Sequence, residues 1–150
     1  MDLPERLRDE LEGKDFQGAC ESVVRRLRST LPRYHWVGIY LLKGDELVLA
    51  AWDGPQATQH TRIPLGQGIC GLAARERRTV VVDDVSKDPR YLACFPSTRS
   101  EIVVPIMSED GRVLGEIDVD SDEPAAFGHE DEALLSEVAR LLAGRLNTEG

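Results

Sequence analysis

The sequence predicts an α+β domain built on an antiparallel sheet, and two observations carry that prediction. Apolar runs come in consecutive pairs joined by short polar turns, residues 35–42 with 46–52 and residues 101–107 with 112–120. Neighbouring strands joined so tightly pair antiparallel. Stretches with helical spacing stand near both ends of the chain, where they can cover one face of such a sheet. The 150 residues suit one domain with one buried core, and 1–150 is read as a single unit.

Each element has its own signal. Residues 3–11 read as a short helix ended by Gly13. Residues 15–31 carry apolar side chains at Phe16, Ala19 and Cys20, Val23 and Val24, Leu27 and Leu31, which is helical spacing, with Asp15 as N-cap and Pro32 as the stop. Lys43-Gly44-Asp45 turns the first hairpin, and Asp53-Gly54-Pro55 ends its second strand. Residues 59–64 read as a short third strand, 68–75 as a short helix entered through glycines, and the β-branched 79–82 as a strand. Residues 83–99 show no clear period and form a long loop, or one holding a helical turn; loops of this length are usually functional or disordered. Ser108-Glu109-Asp110-Gly111 turns the second hairpin. Residues 129–146 form an amphipathic helix with apolar positions at Leu134, Val138, Leu141, Leu142 and Leu146.

Composition excludes several classes. The chain is 41% hydrophobic and 30% charged, ordinary for a globular protein, and holds no apolar run long enough to span a membrane. Its start lacks the basic-then-apolar pattern of a signal peptide, so a cytoplasmic location is expected. A net charge of −9 argues against binding a phosphate backbone. Three cysteines without a secretion signal do not make a disulfide framework. His35, His60 and His129 are scattered, and no CxxC or HxxxH is present, so no metal site is expected.

The residues able to do chemistry fall in a few places. Cys70 lies in Leu65-Gly66-Gln67-Gly68-Ile69-Cys70-Gly71, in the first turn of the short helix, where the helix dipole favours a thiolate. Cys94 lies in the long loop beside Tyr91 and Phe95, with Arg90 and Arg99 near in sequence, and a nearby cation would lower its pKa. Either thiol equally reads as a small core hydrophobe, and Cys20, on the apolar side of its helix, reads that way first. Asp118 and Asp120 are two apart on one strand and share a face. They suit a cationic ligand group, or an acid whose pKa is raised by burial and by neighbouring carboxylates, or a solvent-facing pair at the strand end. Glu101 opens a strand just after the Cys94 loop. Trp36 and Tyr40 also share a strand face, and either wall a small pocket, with the tyrosine hydroxyl available to a ligand, or pack the sheet. Gly66 and Gly68 let backbone N–H groups approach a carboxylate, although a tight turn is the simpler reading.

From about Phe16 to Leu146 the chain resembles a GAF domain. The resemblance rests on Arg62-Ile63-Pro64-Leu65-Gly66-Gln67-Gly68, Val82-Asp83-Asp84-Val85, Asp88-Pro89-Arg90-Tyr91, Ser100-Glu101-Ile102-Val103-Val104-Pro105-Ile106 and Gly115-Glu116-Ile117-Asp118-Val119-Asp120-Ser121, with Phe127 and Asp131 opening the last helix. Within that family it is most similar to the free methionine-(R)-sulfoxide reductases. Trp36 and Tyr40 match their first-strand aromatics, Cys70 the cysteine after the glycine turn, Cys94 the loop cysteine, and Glu101, Asp118 and Asp120 their carboxylates. One position departs. Many members carry a further cysteine ten residues before the one matched by Cys70, and here that residue is His60.

The resemblance implies a GAF fold, with the terminal helices on one face of the sheet and a loop-rich pocket on the other. It also implies reduction of free L-methionine-(R)-sulfoxide to L-methionine. Cys94 would attack the sulfur and Cys70 would resolve the sulfenic acid as a disulfide. Glu101, Asp118 and Asp120 would bind the substrate and supply the proton, and Trp36 and Tyr40 would wall the pocket. Thioredoxin or a similar dithiol would be the reductant, with no metal or organic cofactor, and the fold allows a homodimer through the terminal helices. Two rivals remain at this level: a stand-alone GAF module that binds an amino acid or nucleotide without turnover, and a redox sensor whose thiols answer peroxide.

Overall fold

A computed structural model describes residues 2–89, 91 and 95–149, with the side chains of 147–149 excepted. Cys94 and Arg90 therefore lie outside the described residues. In chain order the elements are α1 (Leu3–Leu11), α2 (Phe16–Thr30), β1 (Trp36–Lys43), β2 (Glu46–Asp53), β3 (Arg62–Pro64), α3 (Gly68–Glu76), β4 (Val80–Val82), β5 (Ser100–Met107), β6 (Val113–Ser121) and α4 (His129–Glu149). The strands form one antiparallel sheet in the order β3-β2-β1-β6-β5-β4. This is the α+β architecture that the paired strand signals predict.

Local chemistry sets the boundaries. Asp2 and Asp15 cap α1 and α2 by accepting from the N–H groups of Glu5 (3.0 Å) and Gly18 (2.8 Å), each cap contributing about 1 kcal/mol. Gly68 enters α3 at a φ of +68°, which a side chain would resist. Ahead of it the Gln67 N–H closes a turn on the Pro64 carbonyl at 3.0 Å, so the glycine segment is a tight turn. The third strand is shorter than its composition suggests, since only Arg62–Pro64 pairs with β2. A 3₁₀ turn at Val85–Lys87 supplies the helical turn of the long loop.

The sheet divides its side chains by strict alternation. Val37 and Ile39 of β1, Ile102, Val104 and Ile106 of β5, and Ile117 and Val119 of β6 point to one face. There they meet Leu7, Val23, Leu27, Leu135 and Leu142 from α1, α2 and α4 in an apolar core. On α4 the fully buried stripe is Leu135, Val138 and Leu142, whereas Leu134, Leu141 and Leu146 are only partly buried at its flank. Val138 and Leu142 are thus buried as their spacing suggests, and Leu135 takes the place expected of Leu134. Tyr34 anchors its start by donating a 2.7 Å hydrogen bond to Asp131, which in turn accepts from the Gly128 N–H.

The opposite face holds Trp36, Tyr40, Leu47 and Val103, covered by α3 through Ile69, Cys70 and Ala73. The register slips between Ile39 and Tyr40, which pair with Ala51 and Leu49 and leave Ala50 as a bulge residue. Its carbonyl accepts from the Gln17 side chain at 2.7 Å. The bulge inverts the alternation of β2 and turns Trp52 onto this second face, where it stacks on Trp36 with centroids 6.3 Å apart and planes 10° apart.

Candidate active site

The carboxylates meet on the α3 face. Glu116, Asp118 and Asp120 alternate along β6 with Ile117 and Val119, so the three share the face opposite the helical core. Glu101 lies beside Asp120 across the β5–β6 ladder, and Trp36 lies beside it across β1–β6. Asp118 sits between Gly38 and Val103, and Glu116 between Tyr40 and Pro105. All four carboxyl groups are at most 4% exposed. They are not a solvent-facing pair at a strand end.

Gly38 is required by this arrangement. A Cβ there would stand 2.4 Å from the Trp36 ring, and one at Gly54 would stand 2.3 Å from it. The indole lies across both glycines, donates from Nε1 to the Gln56 carbonyl at 3.2 Å, and packs on Phe95 at 5.6 Å between centroids. Beside Asp120 these rings enclose a cavity of about 20 Å³, bounded also by Pro55 and Thr98, enough for a single water. The larger clefts lie elsewhere: one of 630 Å³ runs along Leu41, Leu42, Val113 and Leu146, away from every carboxylate of the cluster.

Electrostatics make this face unusual. Burial pushes the Glu116 carboxyl well above its ordinary value; the polar contact with the Cys70 thiol opposes this, and the Asp118 charge adds a smaller upward push. Burial also raises Asp118, with Glu101 and Cys70 acting in the other direction. Asp120 is raised by burial, then by the Asp118 and Asp122 charges, and Glu101 partly offsets this. Both oxygens of Glu116, both of Asp120 and Oδ1 of Asp118 are buried with no hydrogen-bond partner among the described residues. Burial favours the protonated form of such carboxyls, and a cation beside them favours the ionised form.

Cys70 joins the cluster from the first turn of α3, with its sulfur and one oxygen each of Glu101 and Asp118 all within 4.8 Å of one another. Its thiol is pushed well above its ordinary value, first by burial and then by the charges of Asp118, Glu116 and Glu101. This corrects the expectation from the helix dipole. Desolvation and three carboxylates outweigh half a unit of charge at a helix end, so Cys70 is held as a thiol. Tyr40 departs from expectation too: its hydroxyl donates to the His60 carbonyl at 2.8 Å and is not available to a ligand as a donor. The same bond fixes the His60 backbone to the strand that carries the site. Cys20 is buried among the helices on the far face, in the apolar core. The sequence reading brings Cys70, Glu101, Asp118, Asp120 and Trp36 to one place. It misses Glu116, although its two-residue spacing from Asp118 is the signal that would have found it. It also misses Trp52, whose orientation depends on a bulge that no sequence pattern marks.

Residues 15–146 match the family model for the GAF domain, and the chain belongs to that family. Among its relatives, the free methionine-R-sulfoxide reductase of Saccharomyces cerevisiae is 41% identical over 131 residues, covering 85% of this chain and 72% of that protein. Two solved structures are also similar. The type II free methionine-R-sulfoxide reductase of Thermoplasma acidophilum shares 43% identity at a TM-score of 0.82, over 98% of this chain and 96% of that one. The free methionine-R-sulfoxide reductase of Neisseria meningitidis, solved in complex with its substrate, shares 38% at a TM-score of 0.90, over 97% and 86%. No helix among the described residues is long and apolar enough to cross a membrane.

Proposed function

We propose that the protein reduces free L-methionine-(R)-sulfoxide to L-methionine. The observation that carries this reading is the dry cluster of Glu101, Glu116, Asp118 and Asp120 beside Cys70, taken with relatives named for this reaction at 41% and 43% identity. Cys94 attacks the sulfoxide sulfur while a carboxyl of the cluster gives its proton to the oxygen. The protonated oxygen passes to the Cys94 sulfur as the substrate S–O bond and the transient Cys94–substrate sulfur bond break, so methionine leaves and Cys94 becomes a sulfenic acid. The Cys70 thiol then displaces water from that sulfenic acid, forming a Cys70–Cys94 disulfide. A dithiol such as thioredoxin, in the cytoplasm, takes over the disulfide and restores both thiols. A thiol held protonated by burial suits the second step better than the first, which supports giving the first attack to Cys94. The substrate's ammonium group lets two of the carboxyls ionise, and Trp36 and Tyr40 wall the apolar end. A sulfoxide within a polypeptide lacks that ammonium and is excluded.

A single-turnover experiment tests this. Fully reduced protein is mixed with free racemic methionine sulfoxide, without reductant, and the methionine and disulfides are measured. About one methionine per chain and a Cys70–Cys94 bridge are expected. The similarity to a solved structure described as a GAF sensor protein from Burkholderia vietnamiensis, at 35% identity and a TM-score of 0.88, favours a binding module as the second reading. That reading requires no methionine and intact thiols.

A further inference from the structure

We propose that Cys70, Glu101 and Asp118 form a binding site for a thiophilic divalent cation of the Zn²⁺ class. The site shares Cys70, Glu101 and Asp118 with the reductase reading, but it would exist whether or not the chain turns over a sulfoxide. Its donors come from three elements, α3, β5 and β6, which is why no spacing in the sequence shows it. One donor atom from each lies within 4.8 Å of the other two. Donors around a tetrahedral zinc stand roughly 3.5 Å apart, so the widest of these gaps must close by roughly 1 Å.

Two features of the cluster point to a cation. Asp118 Oδ1 is buried with no hydrogen-bond partner among the described residues, and a buried carboxylate oxygen is costly in that condition. The donor set is also selective. One thiolate with two carboxylates suits Zn²⁺ or Cd²⁺ and discriminates against Mg²⁺, which prefers an all-oxygen octahedron. Three protein ligands leave a fourth position open. On binding, the Cys70 proton leaves to solvent and the sulfur donates as thiolate.

Cd²⁺ is the probe, added to the reduced, metal-free full chain without coordinating buffer. The expected result is one equivalent bound, with the ultraviolet charge-transfer band that only a cadmium–thiolate bond produces. Cys70→Ser should abolish the band, while Cys94→Ser and Cys20→Ser keep it. Asp118→Asn should weaken binding by at least about 10-fold, the smallest loss expected even for an outer-shell partner, and serves as the deciding variant if Cys70→Ser does not fold. A band that survives in Cys70→Ser, an unchanged affinity in Asp118→Asn, or displacement of Cd²⁺ by Mg²⁺ would overturn the proposal. Turnover that survives saturating Cd²⁺ would instead count against giving these carboxylates to the substrate, and would leave the cation site standing.

Discussion

The two faces of the sheet are equally dry and chemically opposite. The helical face is lined mainly by apolar side chains, with Asp131 buried at its edge against Tyr34. The α3 face carries Glu101, Glu116, Asp118 and Asp120 at the same depth. Both are written on the same strands, one residue apart: Ile117 faces the helices and Asp118 faces Cys70. Burial therefore does different things on the two sides. On one it stabilises the fold through apolar area removed from water. On the other it costs stability and yields protonated acids and a thiol within reach of one another. A domain that keeps four acids in such a place gives up stability there, and function is the usual reason.

Removing a side chain from each face should separate these roles. The largest effect is expected on the helical side. Leu135 is completely buried, and Leu135→Ala should cost about 2–5 kcal/mol in urea unfolding, with ligand affinity unchanged under conditions where the variant stays folded. Lost affinity at full folding would mean that the faces are coupled.

Glu116→Gln should act in the opposite direction. Its carboxyl is raised above an ordinary value of 4.5, so the folded state holds a proton that the unfolded chain releases. The stability from that proton is fully present below about pH 4 and is lost as the pH rises toward the raised folded value. Glutamine cannot ionise, so the gain in melting temperature of the variant over the parent should grow from about pH 4 to neutrality. A gain that shrinks with pH would show that Glu116 is charged in the fold.

The smallest effect is expected at the rim. Trp52 stacks on Trp36 yet is 39% exposed, and Trp52→Ala should cost only about 0.5–1.5 kcal/mol from the ring pair, measured by chemical denaturation. A larger loss would mean that Trp36 had left its place across Gly38.

The same contrast explains what the sequence could say. Alternation within β5 and β6 is local, so it placed Asp118 and Asp120 together and Val119 apart from them. Helical spacing and caps placed α1 and α2 for the same reason. Three things depend on tertiary structure and were not legible. The state of Cys70 is set by carboxylates from β5 and β6 closing over α3, which outweigh a dipole that the helix alone would suggest. The direction of Trp52 is set by the bulge at Ala50. On α4 the spacing picked out Val138 and Leu142 but passed over Leu135, because which flank of an apolar stripe is covered depends on the neighbours packed against it.

The central claim is that the dry carboxylates of the α3 face recognise the ammonium of a free amino acid. Calorimetry on reduced Cys94→Ser protein, in which the proposed first attack is blocked, tests it with free methionine sulfoxide against its N-acetyl derivative. Free methionine sulfoxide should bind, and the acetylated form should bind at least about 30-fold more weakly, the roughly 2 kcal/mol lost when one partner of a buried charge pair is removed. Equal affinity for the two would contradict the claim.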